Sequence, residues 1–386
     1  MNRYFIIGVS FILALILLIF GGCSGGDSSN RFSELLKLIP AELETEAAVL
    51  LSKQSYFAEF PIILIDYESI LEDKNISLNK PNGETVTFEE YINLLRYDEV
   101  IKNLPAGSDI TGYGRYALVG TIKDKYVGYD FTCVDAEIQA GGPPLNVAAA
   151  IGRFNPQATM DALHYQDEWP SWVKEVYTTE EYSGVTLHSW GDGLEIHMNT
   201  RLLPPHVDNL GRARPFAVTE TNLFYAPSLE IMKFMIDTSQ DKTKSLADLP
   251  EFASIAKKLS EMNTYAAVIG DEEYTIGDII FEGTYSGHKL KEFVTFGSGI
   301  GEDEKGIYMA LVIYHPSNEN AEANVSLLEQ RIADTDSLCA EKPWREVFTD
   351  TDIRVEGNLL MAKLYTEVDR IWVDWVYEHD PLLLHE

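Results

Sequence analysis

Hydrophobic and polar positions change period several times along the chain, and each change predicts an element. Residues 4–20 are apolar, broken only by Gly8 and Ser10, and lie between Met1-Asn2-Arg3 and Gly21-Gly22-Cys23. Residues 24–30 offer no apolar side chain to pack, so 23–31 reads as a flexible tether. From residue 32 the spacing of Leu35, Leu36, Leu38 and Ile39 predicts a helix that pauses at Pro40 and resumes through Ala47, Val49, Leu50 and Leu51. Tyr91, Leu94, Leu95 and Ile101 repeat that spacing over 88–104. Between these helices, 61–65 reads as a short buried strand. Residues 73–84, rich in Asn, Lys, Pro and Gly, read as a loop.

Beyond residue 113 the pattern becomes that of strands. Residues 116–122, 126–139 and 146–154 are rich in Val, Tyr, Phe and Ala, with a Gly-Gly-Pro-Pro turn at 141–144. Asn155 and Pro156 predict a helix start, the one as cap and the other at the first helical position. Strands at 184–189 and 194–200 are joined at Asp192-Gly193, and 201–215, with Pro204-Pro205 and Gly211, marks a seam. The second half reuses the plan. Strands are expected at 216–221, 265–269, 279–285, 292–296, 307–314 and 358–365. Helices are expected at 228–236, 248–262, 320–333 and around Trp372, Trp375 and Val376. The fold class is therefore α+β, with largely antiparallel sheets packed with helices. The organisation fits two similar lobes, 32–200 with its helical N-terminal segment and 216–386, although no residue-level repeat accompanies the recurrence.

Composition narrows what such a chain does. Its 386 residues are 45% hydrophobic, ample for a packed core, while three cysteines are too few to staple so long a chain. Thirty Lys and Arg stand against 61 Asp and Glu, a net charge of −31. That balance excludes nucleic acid as a partner, because phosphate-backbone binding needs clustered cations. It also opposes adsorption to anionic lipid.

The N-terminal pattern is that of a secretory signal. Gly21-Gly22-Cys23 after the apolar run resembles the lipobox of bacterial lipoproteins. The resemblance implies cleavage after Gly22, so that 1–22 is a signal peptide, and attachment of acyl chains to Cys23. The alternative is an uncleaved spanning helix, for which the run is slightly short of the about 20 apolar residues needed. Either reading places the remaining chain outside the cytoplasm, and the first anchors it to the bacterial membrane by lipid. Gly152-Arg153-Phe154-Asn155 followed by Tyr182-Ser183-Gly184-Val185 is similar to a module of uncharacterised bacterial surface lipoproteins, which implies location more than activity.

Candidate chemistry is sparse. If Asp192-Gly193 is a two-residue turn, Leu187 pairs with Met198 and His188 faces His197 with Glu195 nearby, a start toward a zinc-like site that lacks an evident third ligand. The competing reading is a solvated or stacked polar face. Trp169, Trp172 and Trp190 are candidates for an aromatic platform binding an envelope polymer, against the ordinary role of tryptophan as core. Gly297-Ser298-Gly299-Ile300-Gly301 reads as a hairpin loop, since Glu302-Asp303-Glu304 would face any phosphate it cradled. Asp271-Glu272-Glu273 with Asp278 reads as a solvated acidic turn. No Gly-x-Ser-x-Gly elbow occurs, and Ser77 and Lys80 lack the companions of a Ser-x-x-Lys site. Cys133 and Cys339 form either a disulfide or two buried thiols. No cofactor is implied. The expected role is binding or envelope structure, the partner being an envelope polymer, a protein or an apolar small molecule. An envelope hydrolase built from scattered acids and histidines and a carrier of an apolar ligand are the rival readings.

Overall fold

The computed structural model describes residues 30–42, 61–78, 86, 128–129, 131–141, 146–164, 171–191, 215–271, 288–368, 370–378 and 380–385. The elements expected at 43–60, 88–104, 116–122, 194–200 and 279–285 lie outside them.

Continuous apolar runs give the interior strands, and several helices begin where a capping residue precedes the helical spacing. In the first half the chain forms α1 (Arg31–Leu36), β1 (Ile62–Asp66), α2 (Tyr67–Asp73), β2 (Val134–Ala140), β3 (Val147–Gly152), α3 (Pro156–His164) and α4 (Ser171–Val176). Strands β4 (Tyr177–Tyr182), β5 (Val185–Trp190), β6 (Phe216–Val218) and β7 (Asn222–Tyr225) follow, then α5 (Leu229–Ser239) and α6 (Pro250–Glu261). The second half adds β8 (Thr264–Asp271), β9 (Thr295–Asp303), β10 (Gly306–Tyr314) and α7 (Asn318–Asp334). A small ribbon of β11 (Asp336–Ser337) and β12 (Lys342–Pro343) leads to α8 (Trp344–Val347), β13 (Phe348–Glu356), β14 (Leu359–Thr366) and α9 (Ile371–Glu378). Caps start several helices. Ser228 accepts from Ile231 N, Ser317 from Asn320 N, and Asn155 from the Gln157 and Ala158 amides just ahead of Pro156.

Twelve of these strands make one antiparallel sheet in the order β13-β14-β10-β9-β8-β1-β2-β3-β7-β6-β5-β4. Helices cover both faces. Leu35 and Leu36 of α1, Met232 and Met235 of α5, and Ile255 and Leu259 of α6 pack one side. Ile70 of α2, Leu163 of α3, Leu328 of α7, Trp344 of α8 and Trp372 of α9 pack the other. Interior strands are consequently buried on both sides, as in β8, where all but the last residue is enclosed. The edge strands differ. Four of the six residues of β4 are exposed, and β13 carries Asp350, Asp352, Arg354 and Glu356 outward, charges that discourage edge-to-edge pairing.

The two halves repeat one plan inside this sheet. β1-β2-β3 and β8-β9-β10 are meanders, each followed by a helix on the same face, α3 or α7. The outer neighbour of the third strand is in each case the second strand of a hairpin, β7 or β14. The halves meet where β1 pairs with β8, Ile62 opposite Ile269 and Ile65 opposite Ala266. The recurrence seen in the sequence is thus a repeat of topology, and the sheet runs unbroken across it.

Three local expectations change. Gly297 to Gly301 is the middle of β9, not a loop. A Cβ at Gly297 would stand 2.2 Å from Ile255 Cγ2 and 2.9 Å from Leu259 Cδ1, so glycine lets α6 close onto the sheet. On the opposite face Ser298 donates to Ala310 O and accepts from Trp372 Nε1. The expected pairing of β5 with 194–200 is also replaced: Leu187 lies between Glu180 of β4 and Ala217 of β6, and His188 between Thr179 and Phe216. Both edges of β5 are occupied there, which leaves His188 no strand position opposite His197. Finally, the strand expected at 216–221 is a tight hairpin, β6 and β7 joined at Thr219 to Thr221.

Candidate functional site

β1 ends at Asp66, where the chain turns into α2. Asp66 Oδ1 accepts from Ser69 N at 3.0 Å and Oδ2 from the Ser69 hydroxyl at 2.7 Å, so the carboxylate caps the helix. Burial pushes the Asp66 carboxyl above its ordinary value, against the Ser69 hydrogen bonds and the Arg31 charge, which pull it down. At the other end of α2, Tyr265 of β8 donates to Asp73 Oδ2 at 3.0 Å. Burial, reinforced by that carboxylate, pushes the phenol well up. Lys74 pairs with Glu302 on β9 and lies 3.9 Å from Asp73. Arg31 pairs with Glu34 at 3.0 Å and with Glu68.

Asp66, Ser69, Asp73, Tyr265 and Glu302, with Phe32, Ser260 and Asn263, line a cleft of about 390 Å³ at one end of the β1 and β8 strands. Asp66, Glu72, Asp73 and Glu302 put four carboxylates on its wall. Such a wall accepts hydrogen bonds, favours positively charged groups and turns phosphate away. Both Asp66 oxygens are held by Ser69, which makes this acid a helix cap before anything else. Beside it a second cleft, about 300 Å³, is charge-balanced. There Asp303 accepts from Lys363 Nζ at 2.7 Å and the Tyr365 hydroxyl at 3.0 Å, while Lys363 stands over the Tyr308 ring. Among the described residues, no group of three or more His, Cys, Asp or Glu is arranged to hold a metal ion.

The residues that stand out in the sequence lie elsewhere. Cys23, Trp169 and His197 lie outside the described residues, as does the Trp172 side chain, whose backbone belongs to α4. His188 and Trp190 are core, 2% and 1% exposed. The His188 ring stacks on Phe216 with centroids 5.0 Å apart, and its Nδ1 lies 3.0 Å from the Tyr177 hydroxyl. Burial pushes that phenol up to about 12. Trp190 stacks on Phe216 at 5.5 Å and leans on Tyr177 at 5.3 Å. The sheet has a covered second face here, so Trp190 is no part of an open platform and His188 no part of a solvated pair. No disulfide joins Cys133 to Cys339. Cys133 precedes β2, where its carbonyl accepts from Arg153 N, whereas Cys339 lies in the turn between β11 and β12 with its sulfur 3.6 Å from Asp374 O.

The acids of the cleft do not stand out in sequence because they come from β1, α2 and β9, which only tertiary structure joins. One local signal was available: an Asp directly after an apolar strand, three residues before a Ser, announces a strand-to-helix cap.

No known protein family matches the chain, and no curated protein matches it. Among solved structures it is similar to two crystal forms of TP0453. Form III is 11% identical with a TM-score of 0.35, covering 80% of this chain and 90% of that one. Form I is 9% identical with a TM-score of 0.37, covering 90% and 97%. At those scores the topology described above stands on this chain's own strand pairing.

Proposed function

We propose that the protein is a lipid-anchored extracytoplasmic protein of the bacterial envelope with a binding or structural role. The observation that carries this reading is Gly21-Gly22-Cys23 at the end of an apolar run opened by Arg3, followed by seven residues without an apolar side chain. Two acyl chains suffice to hold a body at a membrane without a basic patch, and the net charge of −31 carried by the whole chain would oppose adsorption to anionic lipid. The acidic surface and its cleft favour positively charged partners over nucleic acid.

Cys23→Ala tests the anchor. Native chain should fractionate with membranes and carry the mass of a diacylglyceryl-modified Cys23 after loss of 1–22. The variant should keep its signal peptide or be released in soluble form. Equal membrane retention and an unmodified mass in both would refute the lipid anchor and return the apolar run to the role of a spanning helix.

A further inference from the structure

His315, at the end of β10, is fully buried and held from three sides. Its Nδ1 lies 3.2 Å from Asn358 O, a carbonyl that also accepts the His315 backbone amide, so this nitrogen carries the proton and donates. Its Nε2 lies 2.7 Å from Asn324 Nδ2 on α7. The Asn324 amide has a fixed orientation, because Oδ1 accepts from Lys291 N at 2.6 Å while Nδ2 donates to Lys291 O at 3.0 Å. One amide hydrogen therefore goes to Lys291 and the other points at the imidazole. Nε2 has to be a bare acceptor.

That geometry does not tolerate a second proton on the ring. A protonated Nε2 would set N–H against N–H at 2.7 Å. Flipping the Asn324 amide would relieve the clash only by breaking both bonds to Lys291. Among the described residues, no carboxylate hydrogen-bonds the ring to compensate. Its hydrogen-bond partners are two Asn residues, while Glu292, Glu319, Glu322 and Glu356 are exposed and Lys291, half-buried, adds like charge. Burial lowers the His315 pKa and outweighs the Asn358 and Ile313 carbonyls that would favour a charged ring.

We infer that His315, Asn324 and the Lys291 backbone form a proton-sensitive latch, which clamps α7 and the segment before β9 to the sheet while the imidazole is neutral and loosens them on acidification. In linkage terms, an unfolded or unlatched His315 titrates near 6.5 and the latched ring below that, so the open state binds more protons and gains as pH falls from about 6.5. An envelope protein outside the buffered cytoplasm meets such acidification directly, although the latch itself does not depend on the anchor.

Amide hydrogen exchange of the full chain at pH 7.5 and 5.5, corrected for intrinsic rates, reads the latch. Amides of 318–328 and 290–293 should open on the order of tenfold more at pH 5.5 relative to those of β8. His315→Gln should remove this pH response. Asn324→Asp should reverse it, since a carboxylate accepts from protonated Nε2 and still accepts from Lys291 N. If His315→Gln does not fold, the native ring is followed by NMR: its titration should coincide with the opening of α7. The latch is refuted by an equal acceleration in His315→Gln, by unchanged exchange in the native chain, or by a ring that titrates with α7 still closed.

Discussion

A single carboxylate behaves here according to what surrounds it, and Asp66 and Asp237 show the two signs. Asp66 is raised because burial outweighs Ser69 and Arg31. Between the ordinary Asp value and its own, the native chain holds a proton that the unfolded chain has released, so stability from this group is present at low pH and lost as pH rises through the folded value. Asn caps a helix as well as Asp does and carries no charge. Asp66→Asn should therefore equal or exceed the native chain in urea midpoint at pH 7, with the advantage shrinking as pH falls toward 4; a large loss at pH 7 would mean that the charge itself is required. Asp237 is the opposite case. Burial pushes it up, but hydrogen bonds from Tyr182, Lys242 and Ser183 outweigh this and hold it below the usual range. Its carboxylate clasps the β4–β5 turn, where Ser183 and Gly184 both take positive φ, onto the end of α5. Asp237→Ala should cost about 1–2 kcal/mol at pH 7, roughly one charge-assisted hydrogen bond, and Tyr182→Phe a smaller amount. The Asp237 contribution should begin to fall as pH drops below about 4, where the unfolded carboxyl protonates, and be lost as pH falls on through the lower folded value; a cost that stays constant down to about pH 2 would contradict the clasp.

At the scale of elements, burial on two faces decides what a strand looks like in sequence. β8 and β10 are continuous apolar runs, and they were legible as such. β4, Tyr-Thr-Thr-Glu-Glu-Tyr, and β13, with Asp350 to Glu356 alternating outward, were not, because an edge strand is selected for charge and solvation instead of burial. β9 reads as a loop in sequence for a different reason. Its glycines carry no hydrophobic signal at all, and neighbours take the room they leave: Ile255 and Leu259 of α6 at Gly297, Thr264 at Gly299 and the Tyr308 phenol at Gly301. The acidic cleft stayed hidden for the same tertiary reason, while Asn155-Pro156 and the cysteine after Gly21-Gly22 stood out because their meaning is local. Close approach of α6 to β9 gives the next expectation. Gly297→Ala places a methyl inside contact distance of Ile255 and should destabilise by about 1–3 kcal/mol through overpacking. Ile255→Ala removes the clashing carbon and by itself leaves a cavity, at about 2–5 kcal/mol. Together the two should cost clearly less than their sum, because each relieves the other. Additive losses in denaturant titrations would mean that Gly297 is needed for something other than this contact.

For the whole molecule, the decisive fact is that the two halves share one sheet. β1 comes from the first half and β8 from the second, and each completes the other's backbone hydrogen bonding along Ile62 to Ile65. If either half unfolded alone, it would strip the remaining half of a central strand neighbour and open both apolar faces beside it to water. Neither half is then a separate unit, despite the repeated plan, and unfolding should be cooperative across the seam. Tryptophan provides the probes, since Trp190 reports on the β5 end of the sheet and Trp372 on the packing of α9 against β9. Variants of the full chain retaining only one of these two fluorophores in the described core should show coincident urea midpoints with each other and with far-UV circular dichroism. A charged substitution at the junction, Ala267→Asp, introduces an unpaired carboxylate into the core between α6 and the sheet and should lower both midpoints equally. Two separated transitions, or a shift confined to the Trp372 signal, would show that the halves unfold independently and that the continuous sheet is only a contact between them.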